Sequence, residues 1–232
     1  VNSNYIVIHG SSTATNFKLQ GTGSLTIDGN GSDVDSVGLY VAAKGKDGSI
    51  GIDLNKIDVI NGTLHALDKD GKSGSISLAA DTITVGGEGI DEAQGATAIV
   101  NLTATNTAGT GTTLTLGRET TDEKAGSTIT VNEGGLIKMA AATSGSSTIK
   151  GALLSVADNG LITTSGGSSP ANQGKNTISS DVVEVNGGFV VGGETIVDAK
   201  DTTINGNLLI SGGNLTISAT ATEFEDNPSE IK

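Results

Sequence analysis

The residues that could do chemistry are few. The 232-residue chain holds two histidines, His9 and His65, a single arginine, Arg118, and no cysteine. Nucleophilic catalysis needs a base held beside the nucleophile, and no Gly-x-Ser-x-Gly elbow accompanies either histidine. His65 sits between Leu64 and Ala66, so period-2 alternation predicts a plain outward-facing residue on a strand. Without Cys there is neither a thiolate metal site nor a disulfide framework. Cleavage of a glycosidic bond needs two carboxylates flanking that bond. The chain has no Asp-Asp pair, no Gly-His-Gly and no basic cluster for a uronate.

Three acidic or glycine-rich segments invite a ligand. Gly86-Gly87-Glu88-Gly89-Ile90-Asp91-Glu92-Ala93-Gln94 fits the nonapeptide calcium repeat in its glycines and in Asp91. Ala93 is small where that repeat wants a large apolar residue, and there is one copy only. A glycine-rich turn is the favoured reading, with calcium near Asp91 and Glu92 as the alternative, since calcium needs six to eight oxygens. Asp68-Lys69-Asp70-Gly71 echoes an EF-hand loop, but the first ligand position falls on Ala66 and the closing one on Ser77. Gly71-Lys72-Ser73 echoes a phosphate loop, but Ala66 stands where the first Gly belongs. The most charged segment is Gly117-Arg118-Glu119-Thr120-Thr121-Asp122-Glu123-Lys124. Arg118, Glu119, Asp122 and Glu123 would either contact a partner from a protruding loop or form a solvated corner that blocks edge pairing. No cofactor is expected.

These residues must be carried by short strands. Ser24–Ile27, Ser75–Leu78, Thr82–Val85, Thr113–Leu116, Thr128–Val131 and Asn214–Ile217 each alternate a hydroxyl or amide with an aliphatic residue. That is the pattern of a half-buried strand. Weaker relatives are Tyr5–Ile8, Gly38–Val41, Ile57–Ile60, Leu161–Thr163, Val182–Val185, Phe189–Val191, Thr195–Val197 and Leu208–Ile210. Gly-Gly, Asn-Gly and Asp-Gly punctuate many of them. One or two helical turns are expected at Gly89–Ala98 and Lys138–Thr143, and a short helix or frayed tail at Asn227–Lys232. Leu25, Ile50 and Ile76, spaced by 25 and 26, suggest a repeat that later drifts. Three loops must then leave the coils: Gly86–Gln94, Gly117–Gly126 and Ser165–Lys175.

Composition chooses between all-β architectures. Only 2% of residues are aromatic, there is no Trp, and 35 are Gly. A sandwich needs bulky residues between its sheets, whereas a solenoid stacks Ile, Val, Leu and Ala in a narrow interior. Glycine serves its tight corners. At roughly 20–25 residues per coil the chain would make about ten coils. With ~4.8 Å per coil, that is a rod on the order of 50 Å long. The net charge of −13 argues against nucleic acid and anionic membranes, which need a basic face. No apolar stretch reaches the ~18 residues of a membrane-spanning helix. Val1 begins near a strand pattern with no leader, which reads as a fragment or a processed form.

The run Gly23-Ser-Leu-Thr-Ile-Asp-Gly-Asn-Gly31, with Gly38-Leu-Tyr-Val41, the repeated Thr-Ile-Thr-Val and Asn207-Leu-Leu-Ile-Ser-Gly-Gly-Asn-Leu-Thr-Ile217, resembles a Gram-negative autotransporter passenger domain of the adhesin and self-association type. The likeness covers roughly Tyr5 to Ala221 and is compositional. It implies a right-handed parallel β-helix displayed outside the outer membrane, attached through a β-barrel that this chain lacks. It also implies scarce Cys, as here. The Gly-Asp-Ser-Gly of the protease branch is absent.

The expectation is an all-β, right-handed parallel β-helix over residues 1–224, with an acidic tail at 225–232. It would act as an extracellular, cell-surface adhesin or stalk and would not be an enzyme. Its partners would be a host surface protein or glycan, or the same molecule on a neighbouring cell. The alternatives are a polysaccharide-active β-helix enzyme and a flat Thr-rich binder.

Overall fold

A computed structural model of the chain describes residues 5–9, 16–28, 38–43, 48–68, 74–87, 98–104, 113–141, 145–166 and 174–224. Seventeen strands and no helix occur there. They are β1 (Tyr5–His9), β2 (Asn16–Gln20), β3 (Ser24–Asp28), β4 (Gly38–Ala43), β5 (Gly48–Asp68), β6 (Gly74–Val85), β7 (Ala98–Ala104), β8 (Thr113–Gly117) and β9 (Thr128–Val131). Then follow β10 (Gly135–Ala141), β11 (Ser146–Val156), β12 (Leu161–Gly166), β13 (Lys175–Val185), β14 (Gly188–Gly192), β15 (Thr195–Ile204), β16 (Asn207–Ile210) and β17 (Leu215–Phe224).

Every pairing among them is parallel, and they build two ladders. One runs β1, β4, the end of β5, β7, β10, β12, β14, β16. The other runs β2 with β3, the start of β5, β6, β8 with β9, β11, β13, β15, β17. The chain alternates between the ladders, and β5 belongs to both. This is the all-β, parallel arrangement of a solenoid. The eight levels of each ladder are unevenly spaced along the chain. Ser49 pairs with Ser75, 26 residues on, whereas Ser75 pairs with Thr113, 38 residues on. Thr195 pairs with Leu215, only 20 residues on.

Alternation in sequence becomes alternation in burial. Ile52, Leu78, Leu116, Ile149 and Ile178 pair in succession and are all buried, as are Val59, Val85, Val131, Val156 and Val185. The hydrophobic interior is aliphatic apart from Phe189 and Met139, and a few buried polar residues, such as Ser147, Thr164, Asn176 and Thr195, interrupt it. Identical or near-identical side chains thus stack level on level, which fills a narrow core without large rings. The outer faces carry the hydroxyls: Ser77, Thr115, Thr148 and Thr177 form one column.

The corner between the ladders is stitched by one column of backbone bonds. The N–H groups of Gly86, Asn132, Ala157, Asn186 and Asn205 donate to the carbonyls of Val59, Val85, Val131, Val156 and Val185. At Gly86 φ is +91°, and a β-carbon there would lie 2.6 Å from the Glu133 carbonyl oxygen. Glycine is therefore required by both conformation and space.

Two sequence expectations fail here. Lys138–Ala141, expected as helical, belong to β10, bonded on both sides by β7 and β12. Met139 points inward and Lys138 outward, the period of a strand. Leu25 is not the equivalent of Ile50. It pairs with Ile57, and Phe17 pairs with Ile50. The unpatterned segment Asn16–Gln20 forms the first half of that level, so matching hydroxyl-aliphatic alternation alone aligned the wrong halves. Strands β2, β7 and β11 were not anticipated from the sequence at all.

Candidate functional site

The second ladder bends midway along each level. Past Leu54 on β5, the inward positions at the bend are small: Ala80, Gly151, Ser180, Ala199 and Ala219. A β-carbon on Gly151 would sit 2.6 Å from the Ser127 carbonyl oxygen, so the chain must be bare there. At the level of β8 and β9 the chain leaves this bend as an excursion and returns. Its neck is closed twice. Ser127 N–H donates to the Arg118 carbonyl at 3.0 Å, and Arg118 N–H donates to Ser127 Oγ at 3.0 Å. Ser127 is buried, and its hydroxyl donates to the Ala80 carbonyl. Thr121 N–H to the Lys124 carbonyl, at 2.8 Å, turns the tip.

Charge pins this excursion down on both sides. Arg118, whose side chain is only 14% exposed, donates from Nη1 to Asp53 Oδ1 at 2.6 Å, from Nη2 to Asp81 and from Nε to the Ala125 carbonyl at 3.1 Å. Lys124 Nζ reaches both oxygens of the same Asp53, at 3.0 and 2.9 Å. On the other side Glu119 pairs with Lys150, and Thr120 Oγ1 donates to Asp181 Oδ2 at 3.1 Å. Asp181 Oδ1 takes a second bond from Lys200 Nζ at 2.8 Å. The Lys200 ammonium, aided by Thr120, holds the Asp181 carboxyl below its ordinary range, and Asp181 raises Lys200 in turn.

Between the excursion and β15 lies a shallow groove of about 260 Å³. Its walls are Glu119 and Thr120 on one side and Asp198 and Lys200 on the other, with Ser179 and Asp181 between and Gly151, Ser180 and Ala199 along the bend.

The sequence-selected residues therefore divide. Arg118 is consumed by intramolecular bonds, and Glu119 is tied to Lys150 while still facing solvent. Asp122 and Glu123 stand exposed at the tip. Asp91 and Glu92, with residues 88–94 of the proposed calcium segment, lie outside the described residues, as do 69–73 and the tail at 225–232. His65 is half-buried between buried Leu64 and Ala66, facing outward, within 3.3 Å of the Asn101 amide. Among the described residues no three His, Asp or Glu side chains converge as a metal site would require. Asp53, Asp81, Asp181, Asp198 and Lys200 were not legible as partners. They fall at two neighbouring positions of the bend, Asp198 level with Ser179 and Asp181 level with Lys200, a placement that appears only when levels of different length are aligned. No protein-family model, curated protein or solved structure matches the chain.

Proposed function

We propose that the chain is a right-handed parallel β-helix serving as a cell-surface adhesin or stalk, binding through its polar faces and loops rather than through a catalytic pocket. Right-handed winding follows the general rule for parallel crossovers. Among the described residues the ladders hold eight levels, against the about ten coils of a uniform period. The observation that carries the functional reading is the pinned excursion of Gly117–Gly126. A charged segment is held rigidly off the bend by ion pairs on both sides, with Glu119, Asp122 and Glu123 turned to solvent. A pre-ordered loop loses little entropy on binding, and copies on a surface multiply weak contacts. Partners of this kind are a host protein or glycan, or the same molecule on another cell.

The same excursion argues against a flat Thr-rich binder. It rises between the hydroxyl columns Thr113/Thr115 and Thr128/Thr130, and those columns run into Ile196 and Leu153.

Cells displaying the chain would be assayed for attachment to glycans, to matrix proteins and to one another. Replacing Glu119–Ala125 by two glycines, with the two other loops shortened, should reduce attachment while leaving the circular-dichroism spectrum unchanged. Undiminished attachment after all three changes would remove the loops from the mechanism.

A further inference from the structure

We infer that the groove beside the excursion is a subsite for a neutral glycan; this rests on the adhesin reading and narrows its ligand. The groove offers acceptors and a donor side by side. Asp198 has no ion pair among the described residues and is exposed. Ser179 pairs with it across the ladder and is half-buried on the same outer face. Lys200 stands beside Asp198 on the same wall, two residues along the strand, already oriented by Asp181 at 2.8 Å. Glu119 and Thr120 form the remaining wall and are fixed by Lys150 and Asp181.

Sugar hydroxyls both donate and accept, so they can use the Asp198 carboxylate, the Ser179 hydroxyl and the Lys200 ammonium together. A basic peptide could use only the carboxylates and would meet Lys200. An anionic sugar would meet Glu119, Asp181 and Asp198. Gly151, Ser180 and Ala199 form its floor along the bend. The volume, about 260 Å³, lies below the roughly 300–1,000 Å³ of drug-sized sites and suits one or two sugar rings. No aromatic side chain lines the groove, so stacking is missing and single-site affinity should be on the order of millimolar.

The test is a titration of the isotope-labelled full chain with lactose, maltotriose and diacetylchitobiose, followed by amide shifts. Hexalysine and a galacturonate trimer serve as charged controls. Saturable shifts confined to residues 119–120, 179–181 and 198–200 with a neutral sugar are expected. Asp198→Ala and Ser179→Ala, both outward positions, should each weaken binding at least about fivefold, a loss of roughly 1 kcal/mol. Unmoved resonances with every neutral sugar, or shifts with hexalysine alone, would overturn the inference. An affinity unchanged in Asp198→Ala would do the same. Cells displaying Asp198→Ala/Ser179→Ala separate the two ideas. Full attachment by them, with loss on loop removal, ends the groove proposal and keeps the adhesin reading.

Discussion

Arg118 shows how one residue can look like a contact and act as a clasp. Its three-way donation to Asp53, Asp81 and the Ala125 carbonyl needs the planar guanidinium fork. Arg118→Ala should cost about 1–2 kcal/mol in urea unfolding, less than a fully buried pair because Asp81 is half exposed. Arg118→Lys should restore less than half, because one ammonium cannot span both carboxylates and the carbonyl. Proteolysis within 119–125 should accelerate in both variants. Asp181 makes a second prediction at this scale. Its carboxyl is depressed in the folded chain, so its contribution is present above the ordinary value of 3.8 and is lost as pH falls through the lower folded value. Lys200 is raised above 10.5, so its part is complete below that value and is lost as pH climbs through the higher folded one. The pair is therefore indifferent to pH across the neutral range. A carboxyl titration by NMR should place Asp181 below 3.8, and Lys200→Met should move it back up.

Individual strands owe their place to what their inward residues can stack upon. Most of the inward stack is aliphatic, but β12 and β15 meet through a buried hydroxyl pair. Thr164 Oγ1 and Thr195 Oγ1 are 2.8 Å apart, and Thr195 Oγ1 lies 3.1 Å from the Gly193 carbonyl as its donor. The chain of bonds thus runs from Thr164 through Thr195 to Gly193. Thr195→Val would strand the Thr164 hydroxyl, at a cost of about 1–3 kcal/mol, whereas Thr164→Val leaves Thr195 its carbonyl and should cost less. The double variant should be milder than Thr195→Val alone, a coupling that a double-mutant cycle in urea would read directly. A cost for Thr164→Val as large as that for Thr195→Val would contradict this chain of bonds. The short strands with hydroxyl-aliphatic alternation were legible at this scale because Cβ atoms alternate faces whatever the tertiary setting. β11 was not, since Gly151 and Ala152 interrupt its alternation at the bend.

For the molecule as a whole, stability should be graded along the ladders. Each level touches only its neighbours, so contacts are shared locally and the outermost levels have one neighbour instead of two. Phe17 and Leu19, inward-facing on β2, are 39% and 44% exposed, while their partners Ile50 and Ile52 are buried. At the other end Leu215 and Ile217 are only half-buried. Amide exchange should therefore be slowest in β6, β11 and β13 and faster by at least about tenfold in β2 and β17. Uniform protection from end to end would contradict nearest-neighbour packing.

By itself the sequence determined the class of fold. A chain with five aromatic residues, 35 glycines and repeated hydroxyl-aliphatic alternation can bury surface economically only as stacked thin levels. That follows from side-chain volume and the two-residue period, both local properties. Only the tertiary structure decided which residues meet. Asp53 and Lys124 are 71 positions apart, and Asp181 is 61 from Thr120. The levels differ in length, so no fixed period carries one onto the other. The groove and the clasp depend on register across the ladder, and register is set by backbone pairing between segments whose separation the sequence does not repeat.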